Sequence, residues 1–148
     1  MITFKKITPK DYNYFAEMNN PPDVLCWMES DRSYQREDFD VIIRHKHVRW
    51  YKILDGSKRV GLFTAYKNDG NIYIGIIIDK KWRRNGYARA AIKHYLRATD
   101  SLGYDTYLGC FLDQPALPLY MELGYIETGM YKLVRDRFFI QMKRKWKI

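Results

Sequence analysis

The sequence has few cysteines and no long hydrophobic run. Its two cysteines, Cys26 and Cys110, stand far apart and form no C-x-x-C pair, which argues against a disulfide framework or a zinc site. We therefore expect two reduced, buried thiols. The longest nearly apolar run, residues 72–78, is far shorter than the roughly 20 residues of a membrane-spanning helix. No apolar stretch of signal-peptide length follows Met1, so we expect a cytoplasmic protein without a membrane partner.

The sequence also lacks internal repeats, low-complexity tracts and linkers. Its 148 residues are 47% hydrophobic and 16% aromatic, which suits one globular domain with a full core over residues 1–148. His45 and His47 lie two positions apart and have no third ligand nearby in the sequence, so we expect a surface pair and no metal site.

Basic residues outnumber acidic ones by 26 to 17, and the excess is localised. Residues 80–97 contain seven basic and no acidic groups, and residues 131–148 contain seven basic groups against Asp136. Two basic blocks on an otherwise slightly acidic body indicate specific anionic partners.

Hydrophobic periodicity divides the chain into short elements. Three segments rich in β-branched and aromatic residues, separated by Asp-Gly turns, predict an antiparallel meander. Strand and helix patterns then alternate, which predicts an α/β fold with a mixed sheet covered by helices on both faces. Pro118 suits only the first turn of a helix, so the helix before Gly124 should begin near Ala116 or Leu117. The predicted strands are residues 2–7, 49–54, 59–67, 71–78, 106–111, 125–130 and 138–143, and the clearest helices are 11–18, 38–44 and 88–99.

The junction at residues 79–89 conflicts with helix electrostatics. Its basic residues precede or begin the helix, where each cation opposes the macrodipole by roughly 0.3 to 1 kcal/mol. Arg89, Lys93 and Arg97 add like-charge pairs at four-residue spacing. A bound anion would remove this cost, because free backbone N–H groups and Gly86 allow its close approach. The segment therefore favours phosphate binding.

Two motifs carry a family resemblance. The hexapeptide Arg83-Arg84-Asn85-Gly86-Tyr87-Ala88 resembles the R/Q-x-x-G-x-G/A pyrophosphate loop of the GNAT acetyltransferase superfamily. The segment from Ala116 to Tyr125 resembles the A-x-x-L-Y-x-x-x-G-F/Y segment of the same family. The resemblance implies a central mixed, mostly antiparallel twisted sheet of about seven strands, flanked by about four helices.

The resemblance also implies an activity and a site. It implies transfer of an acetyl group from acetyl-CoA to a small-molecule or peptide amine by direct attack. Tyr120 would be the catalytic hydrogen-bond donor or general acid to the leaving thiolate. The strands that end at Ile78 and Phe111 would splay apart to admit the pantetheine arm. The implied cofactor-binding residues are Ile76 and Ile78 through their main chain, the loop residues Arg83, Arg84, Asn85, Gly86, Tyr87, Ala88 and Arg89, and Asp113.

The sequence departs from the family pattern at two places, the strand before the loop and position 84. The strand before the loop has no glutamate, so the general base is unassigned among Asp79, Asp113, Glu29 and Asp31. Arg84 stands where the family often has glycine. A degenerate member that binds CoA without turnover is therefore an alternative.

The second alternative comes from the two basic blocks. A non-catalytic module that binds nucleic acid through them would show strongly salt-dependent affinity. For an enzyme, the net charge of +9 suits a polyamine acceptor poorly unless a local acidic pocket overrides it, and it tolerates an acidic peptide, an amino sugar phosphate or an RNA-linked acceptor. Substrate selection is expected in the irregular connections at residues 19–36 and 131–137.

Overall fold

A computed structural model describes all 148 residues, and its centre is one seven-stranded sheet with the strand order β1-β2-β3-β4-β5-β7-β6. Every neighbouring pair is antiparallel except β4 and β5, which are parallel. This confirms the predicted mixed, mostly antiparallel sheet. The strands are β1 (Ile2–Lys6), β2 (Val48–Asp55), β3 (Lys58–Asn68), β4 (Asn71–Ile78), β5 (Thr106–Phe111), β6 (Ile126–Val134) and β7 (Arg137–Arg144).

Five α-helices cover the sheet, one more than predicted, because the four-residue α2 has too little sequence to show periodicity. In the longest helix, α4, the predicted apolar face is the buried one. Pro118 lies in the first turn of α5, where its missing N–H disrupts no helical bond, as predicted. The helices are α1 (Tyr12–Asn19), α2 (Pro22–Leu25), α3 (Arg36–Arg44), α4 (Tyr87–Ser101) and α5 (Leu117–Glu122), with 3₁₀ turns at Pro9–Asp11 and Lys80–Trp82.

Two apolar clusters pack on opposite faces of the sheet. Helices α4 and α5 share the larger cluster with alternate residues of the central strands, Phe63 of β3 among them. Helices α1 and α3 pack against the other face, where Leu62 of β3 is buried. Because successive strand residues point to opposite faces, one strand serves both cores.

Two hairpin turns of the sheet each place two successive residues at positive φ, and only one of them uses glycine to do so. The β3–β4 turn uses Asp69 and Gly70, both with positive φ, as a tight hairpin requires. The β6–β7 turn places Arg135 at φ 49° and Asp136 at φ 63° without any glycine. Such strain persists only where surrounding contacts fix it.

Two sequence expectations need correction. Cys110 is buried as expected, but Cys26 is exposed, because it follows the short surface helix α2. Strand β6 extends beyond the predicted 125–130 to Val134, since the register shift between Glu127 and Tyr131 lets pairing with β7 continue. No helix of the structure combines the length and apolarity that crossing a bilayer would take.

Candidate active site

Strands β4 and β5 diverge soon after they begin. Their register contains only two pairs, Ile72 with Thr106 and Tyr73 with Tyr107. Beyond Tyr73, β4 stays paired with β3 to its end, while β5 pairs with β7. The sheet therefore opens into a wedge between the ends of β4 and β5, as the sequence resemblance implied.

Alternate residues of β4 direct their backbone polar groups toward this wedge. The Asp79 N–H donates to the Val60 carbonyl at 2.9 Å, and antiparallel pairs alternate along a ladder. Ile74, Ile76 and Ile78 consequently direct their N–H and C=O groups away from β3 and toward the wedge. Of the two positions expected to bind the co-substrate, Ile76 directs both backbone groups toward the wedge, whereas the Ile78 carbonyl already accepts from Arg83 Nε at 3.0 Å.

The loop at the end of β4 presents a row of free amides. None of the six backbone N–H groups from Arg84 to Arg89 donates to a protein acceptor. Gly86 has φ 78°, and Arg84 adopts the same left-handed region at φ 65°. Left-handed residues next to a helix start turn successive N–H groups toward one point and form an anion-binding concavity. We call residues 83–89 the anion loop.

The side chains of the anion loop are mostly engaged with protein. Arg83 donates from Nε to the Ile78 carbonyl at 3.0 Å and lies 3.7 Å from Asp23. Asn85 donates to the Trp82 and Arg83 carbonyls. The remaining contacts are those of Tyr87, whose hydroxyl donates to Asp55 at 2.7 Å, and of Arg89, which pairs with Glu122 at 2.7 Å. The free groups of this loop are therefore the backbone amides together with the exposed side chain of Arg84.

Tyr120 of α5 belongs to the larger apolar cluster. It is 7% exposed, lines the cleft described below, and its hydroxyl has no hydrogen-bond partner in the protein. Burial, followed by the nearby Cys110 thiol, raises the pKa of the Tyr120 hydroxyl well above its usual value. Tyr120 is therefore a protonated donor over the whole physiological pH range.

One cleft of about 580 Å³ connects these features and continues through the wedge to the other face of the sheet. Gly75 and Gly109 line it on the two sides of the wedge. A Cβ on Gly109 would lie 2.5 Å from the Phe139 ring, so glycine is needed there. On the far face the cleft ends in what we call the outer chamber, lined by Asn19, Val24, Trp27, Met28, Tyr34 and Trp50.

Long-range contacts hold the walls of the outer chamber in place. Asn20 accepts from the Tyr34 N–H at 2.7 Å and donates to the Tyr34 carbonyl at 3.0 Å, which fixes the loop before α3. Arg135 donates to the Met28 carbonyl at 2.7 Å, and Arg137 donates to the Cys26 carbonyl at 2.9 Å. The strained β6–β7 turn thus ties down the segment that follows α2.

None of the four carboxylates considered as general base lines the cleft. Asp79 caps the 3₁₀ turn, Asp113 pairs with Arg137 at 2.9 Å, Glu29 pairs with Lys132, and Asp31 is exposed. The cleft is lined by one carboxylate that the sequence did not single out, Asp23. Its contact with Arg83 joins residues sixty positions apart, so no local sequence pattern could have predicted it.

Comparisons with known proteins agree with this geometry. The model of the acetyltransferase (GNAT) family matches residues 12–125. No curated protein sequence matches the chain as a relative.

Solved structures share the fold at low sequence identity. A spermidine N-acetyltransferase from Vibrio cholerae in complex with CoA and spermine superposes with a TM-score of 0.85 at 19% identity, covering 98% of this chain and 95% of that one. The ribosomal-protein-S18-alanine N-acetyltransferase from Escherichia coli gives 0.78 at 15% identity, covering 100% and 96%. A domain from Methanocaldococcus jannaschii gives 0.80 at 16% identity, covering 97% and 98%. Because its family model spans most of the sequence, the chain belongs to the GNAT family of acetyltransferases and is a GNAT-type N-acetyltransferase.

Proposed function

We propose that this protein transfers an acetyl group from acetyl-CoA to a primary amine. One observation carries the proposal: a single cleft joins the free amides of the anion loop, the opened β4–β5 wedge and the outer chamber. A transfer between two substrates needs an anion site, a channel for an extended arm and a separate pocket for the second substrate.

The residues present suit the diphosphate and the pantetheine arm of the co-substrate. The anion loop would hold the diphosphate through its backbone N–H groups, helped by the positive end of the α4 dipole and by the Arg84 guanidinium. The main chain of Ile76 and Ile78 would pair with the amides of the pantetheine arm, as an added strand would. Asp113 lies outside the cleft lining and pairs with Arg137 at 2.9 Å, so any contact it makes with the co-substrate would be at the protein surface.

Bound acetyl-CoA would supply a thioester whose carbonyl carbon accepts the amine lone pair, so that a C–N bond forms as the C–S bond breaks and the electron pair passes to sulfur. Tyr120 would donate a hydrogen bond to that sulfur and keep its proton, and the proton lost by the attacking nitrogen would pass to water in the cleft. Because its raised pKa keeps the hydroxyl protonated, Tyr120 would stabilise the negative charge that develops on the sulfur. Backbone N–H groups of β4 would stabilise the developing charge on the carbonyl oxygen.

The fold neighbours support an amine as the acceptor. The Vibrio cholerae enzyme is named for spermidine, and the Escherichia coli enzyme for an alanine of a ribosomal protein. Both names describe N-acetylation, although the two acceptors differ in size and charge. The amine nucleophile is the shared element that we carry over.

Calorimetric titration with acetyl-CoA, followed by a thiol-release assay over a panel of amines, tests the proposal. We expect saturable one-to-one binding and amine-dependent release of CoA. Binding without release for any amine would indicate a degenerate domain. An oligonucleotide that binds where acetyl-CoA does not, with affinity falling steeply between about 50 and 200 mM salt, would indicate a nucleic-acid module instead.

A further inference from the structure

We propose that the acceptor is a single primary amine carried on a compact apolar or aromatic body, and that the outer chamber selects it. The inference rests on the proposed function, because it names the acceptor class of the same site. It separates this chain from an enzyme for polyamines.

The walls of the outer chamber are aromatic and rigidly placed. Trp50 and Tyr34 pack on Phe15 of α1, each with ring centroids about 5 Å from the Phe15 ring. The Arg137 guanidinium lies 4.8 Å from the centre of the Trp27 ring and packs against it. Preformed aromatic walls favour a flat or compact apolar ligand, because little ordering is required on binding.

Charge in the outer chamber is nearly absent. Its six lining residues carry no charge, and the one carboxylate of the whole cleft, Asp23, lies 3.7 Å from Arg83. Two further cations, Arg135 and Arg137, donate to the backbone carbonyls of Met28 and Cys26 in the segment that carries Trp27. A ligand with several ammonium groups would lose its hydration without gaining partners, which is unfavourable. A ligand with one amine and an apolar body avoids that penalty.

Asn19 provides one polar group suited to an amine. The side chain is fully buried and lines the cleft, and its Nδ2 donates to the Phe15 carbonyl at 2.9 Å. Its Oδ1 is buried without any hydrogen-bond partner. A buried carbonyl oxygen without a donor is costly, and an amine N–H would satisfy it. The apolar surroundings also favour the neutral amine over its ammonium form, which is the nucleophilic state.

Titration calorimetry with 2-phenylethylamine and with spermidine, on free and on CoA-saturated protein, tests the inference. We expect 2-phenylethylamine to bind at least tenfold more tightly than spermidine. Trp27→Leu and Asn19→Leu should each weaken 2-phenylethylamine binding about fivefold or more. Trp146→Leu is the matched control, because Trp146 lies outside the cleft lining, and it should leave both affinities unchanged.

Spermidine binding as tightly as 2-phenylethylamine, or no binding of 2-phenylethylamine to CoA-saturated protein, would overturn the inference. Equal losses in Trp27→Leu and Trp146→Leu would also overturn it. Failure to bind CoA, scored in the same titrations, would instead contradict the proposed function. The two failures are therefore distinguishable, and binding of 2-phenylethylamine to the wild-type protein decides the matter even if a variant folds poorly.

Discussion

The anion loop and the outer chamber occupy the two ends of one cleft, yet they are built in different ways. The anion loop is a single run of sequence that uses backbone amides, and its requirements are conformational, as at Gly86. The outer chamber is assembled from side chains of α1, α2, the loop before α3 and β2, and it is held by arginines from β6–β7. A backbone site can be recognised from a short motif, whereas a site made by distant side chains becomes visible only in the folded molecule.

The same contrast explains why family members can differ in acceptor. The anion loop needs left-handed backbone and free N–H groups, which few sequences provide. The outer chamber can change through any of its wall residues without disturbing the loop. The predictions below test this independence, from the largest expected effect on activity to the smallest.

Replacing Tyr120 by phenylalanine should affect the chemical step alone, because Tyr120 lines the cleft and belongs neither to the anion loop nor to the outer chamber. We expect kcat to fall about a hundredfold with the affinity for acetyl-CoA unchanged, since a positioned hydrogen-bond donor stabilises the charge that develops in the transition state. The pKa of Tyr120 is raised by burial, so the pH profile below pH 9 should keep its shape in the variant.

The control for this substitution is Tyr125→Phe. The Tyr125 hydroxyl is buried and lies 2.7 Å from the Thr106 hydroxyl, and burial raises its pKa to about 12. We expect this variant to lose about 1–3 kcal/mol of unfolding free energy and to keep its kcat, because a buried hydroxyl loses its partner outside the cleft. If both variants lost kcat equally, Tyr120 would have no catalytic role.

Substituting Gly86 by valine should damage the anion loop selectively. Gly86 has φ 78°, and nothing lies within 4 Å of the Cβ it would carry, so the effect is conformational. Left-handed backbone costs a non-glycine residue about 1–2 kcal/mol, and more for a β-branched one. We expect acetyl-CoA to bind at least thirtyfold more weakly by calorimetry.

Gly70→Val is a closely matched control, because Gly70 has φ 80° and equally open surroundings in the β3–β4 turn. It should lose similar stability in urea unfolding and bind acetyl-CoA like the wild-type protein. Equal loss of binding in the two variants would show that stability, and not loop geometry, governs co-substrate affinity.

Asn20→Ala should loosen the outer chamber without affecting the anion loop. The substitution removes the two hydrogen bonds that join Asn20 to the Tyr34 backbone. With about 1 kcal/mol lost, we expect the KM for the acceptor amine to rise about fivefold. The acetyl-CoA dissociation constant should not move, and a parallel change in it would contradict the independence of the two sites.

Asp100→Asn should change stability and leave activity unaffected, because the Asp100–Arg144 pair joins α4 to β7 away from the cleft. Hydrogen bonding from Arg144 outweighs burial and lowers the pKa of Asp100 below 3.8. The carboxylate therefore stabilises the fold above about pH 4, and this contribution disappears as the pH falls through the depressed pKa.

Urea unfolding as a function of pH checks this prediction. The wild-type protein should exceed the variant by about 1.5–3 kcal/mol at pH 7, as expected for hydrogen bonds between charged groups. The difference should shrink below pH 4. A gap of constant size across that range would assign the effect to packing and not to charge.

The fold could be predicted largely from sequence, because alternation and helical periodicity are local. The meander, the face of α4 and the start of α5 at Leu117 all follow from residue spacing. The sequence-based predictions are wrong where tertiary contacts determine the extent of a strand or the burial of a side chain. Pairing with β7 extends β6 across a register shift, and Cys26 is exposed because of where α2 ends.

The candidate site divides in the same way. The anion loop and Tyr120 could each be recognised from a motif, and each motif is a single short run of sequence. Asp23 and Asn19 could not be predicted from the sequence, because neither belongs to a motif. Asp23 is recognised by its contact with Arg83, and Asn19 by its buried Oδ1 without a hydrogen-bond partner. Residues 19–36 and 131–137 were expected to carry selectivity, and the structure places both segments at the outer chamber or its supports.

The central claim is that backbone amides of the anion loop hold the diphosphate of CoA. Amide-detected NMR of the ¹⁵N-labelled protein, titrated with CoA, tests it most directly. We predict that the largest shifts fall on the amides from Arg84 to Arg89, followed by Ile76 and Ile78. Shifts confined to the exposed face of α4 and the basic C-terminal residues, with the Gly86 amide unmoved, would contradict the account.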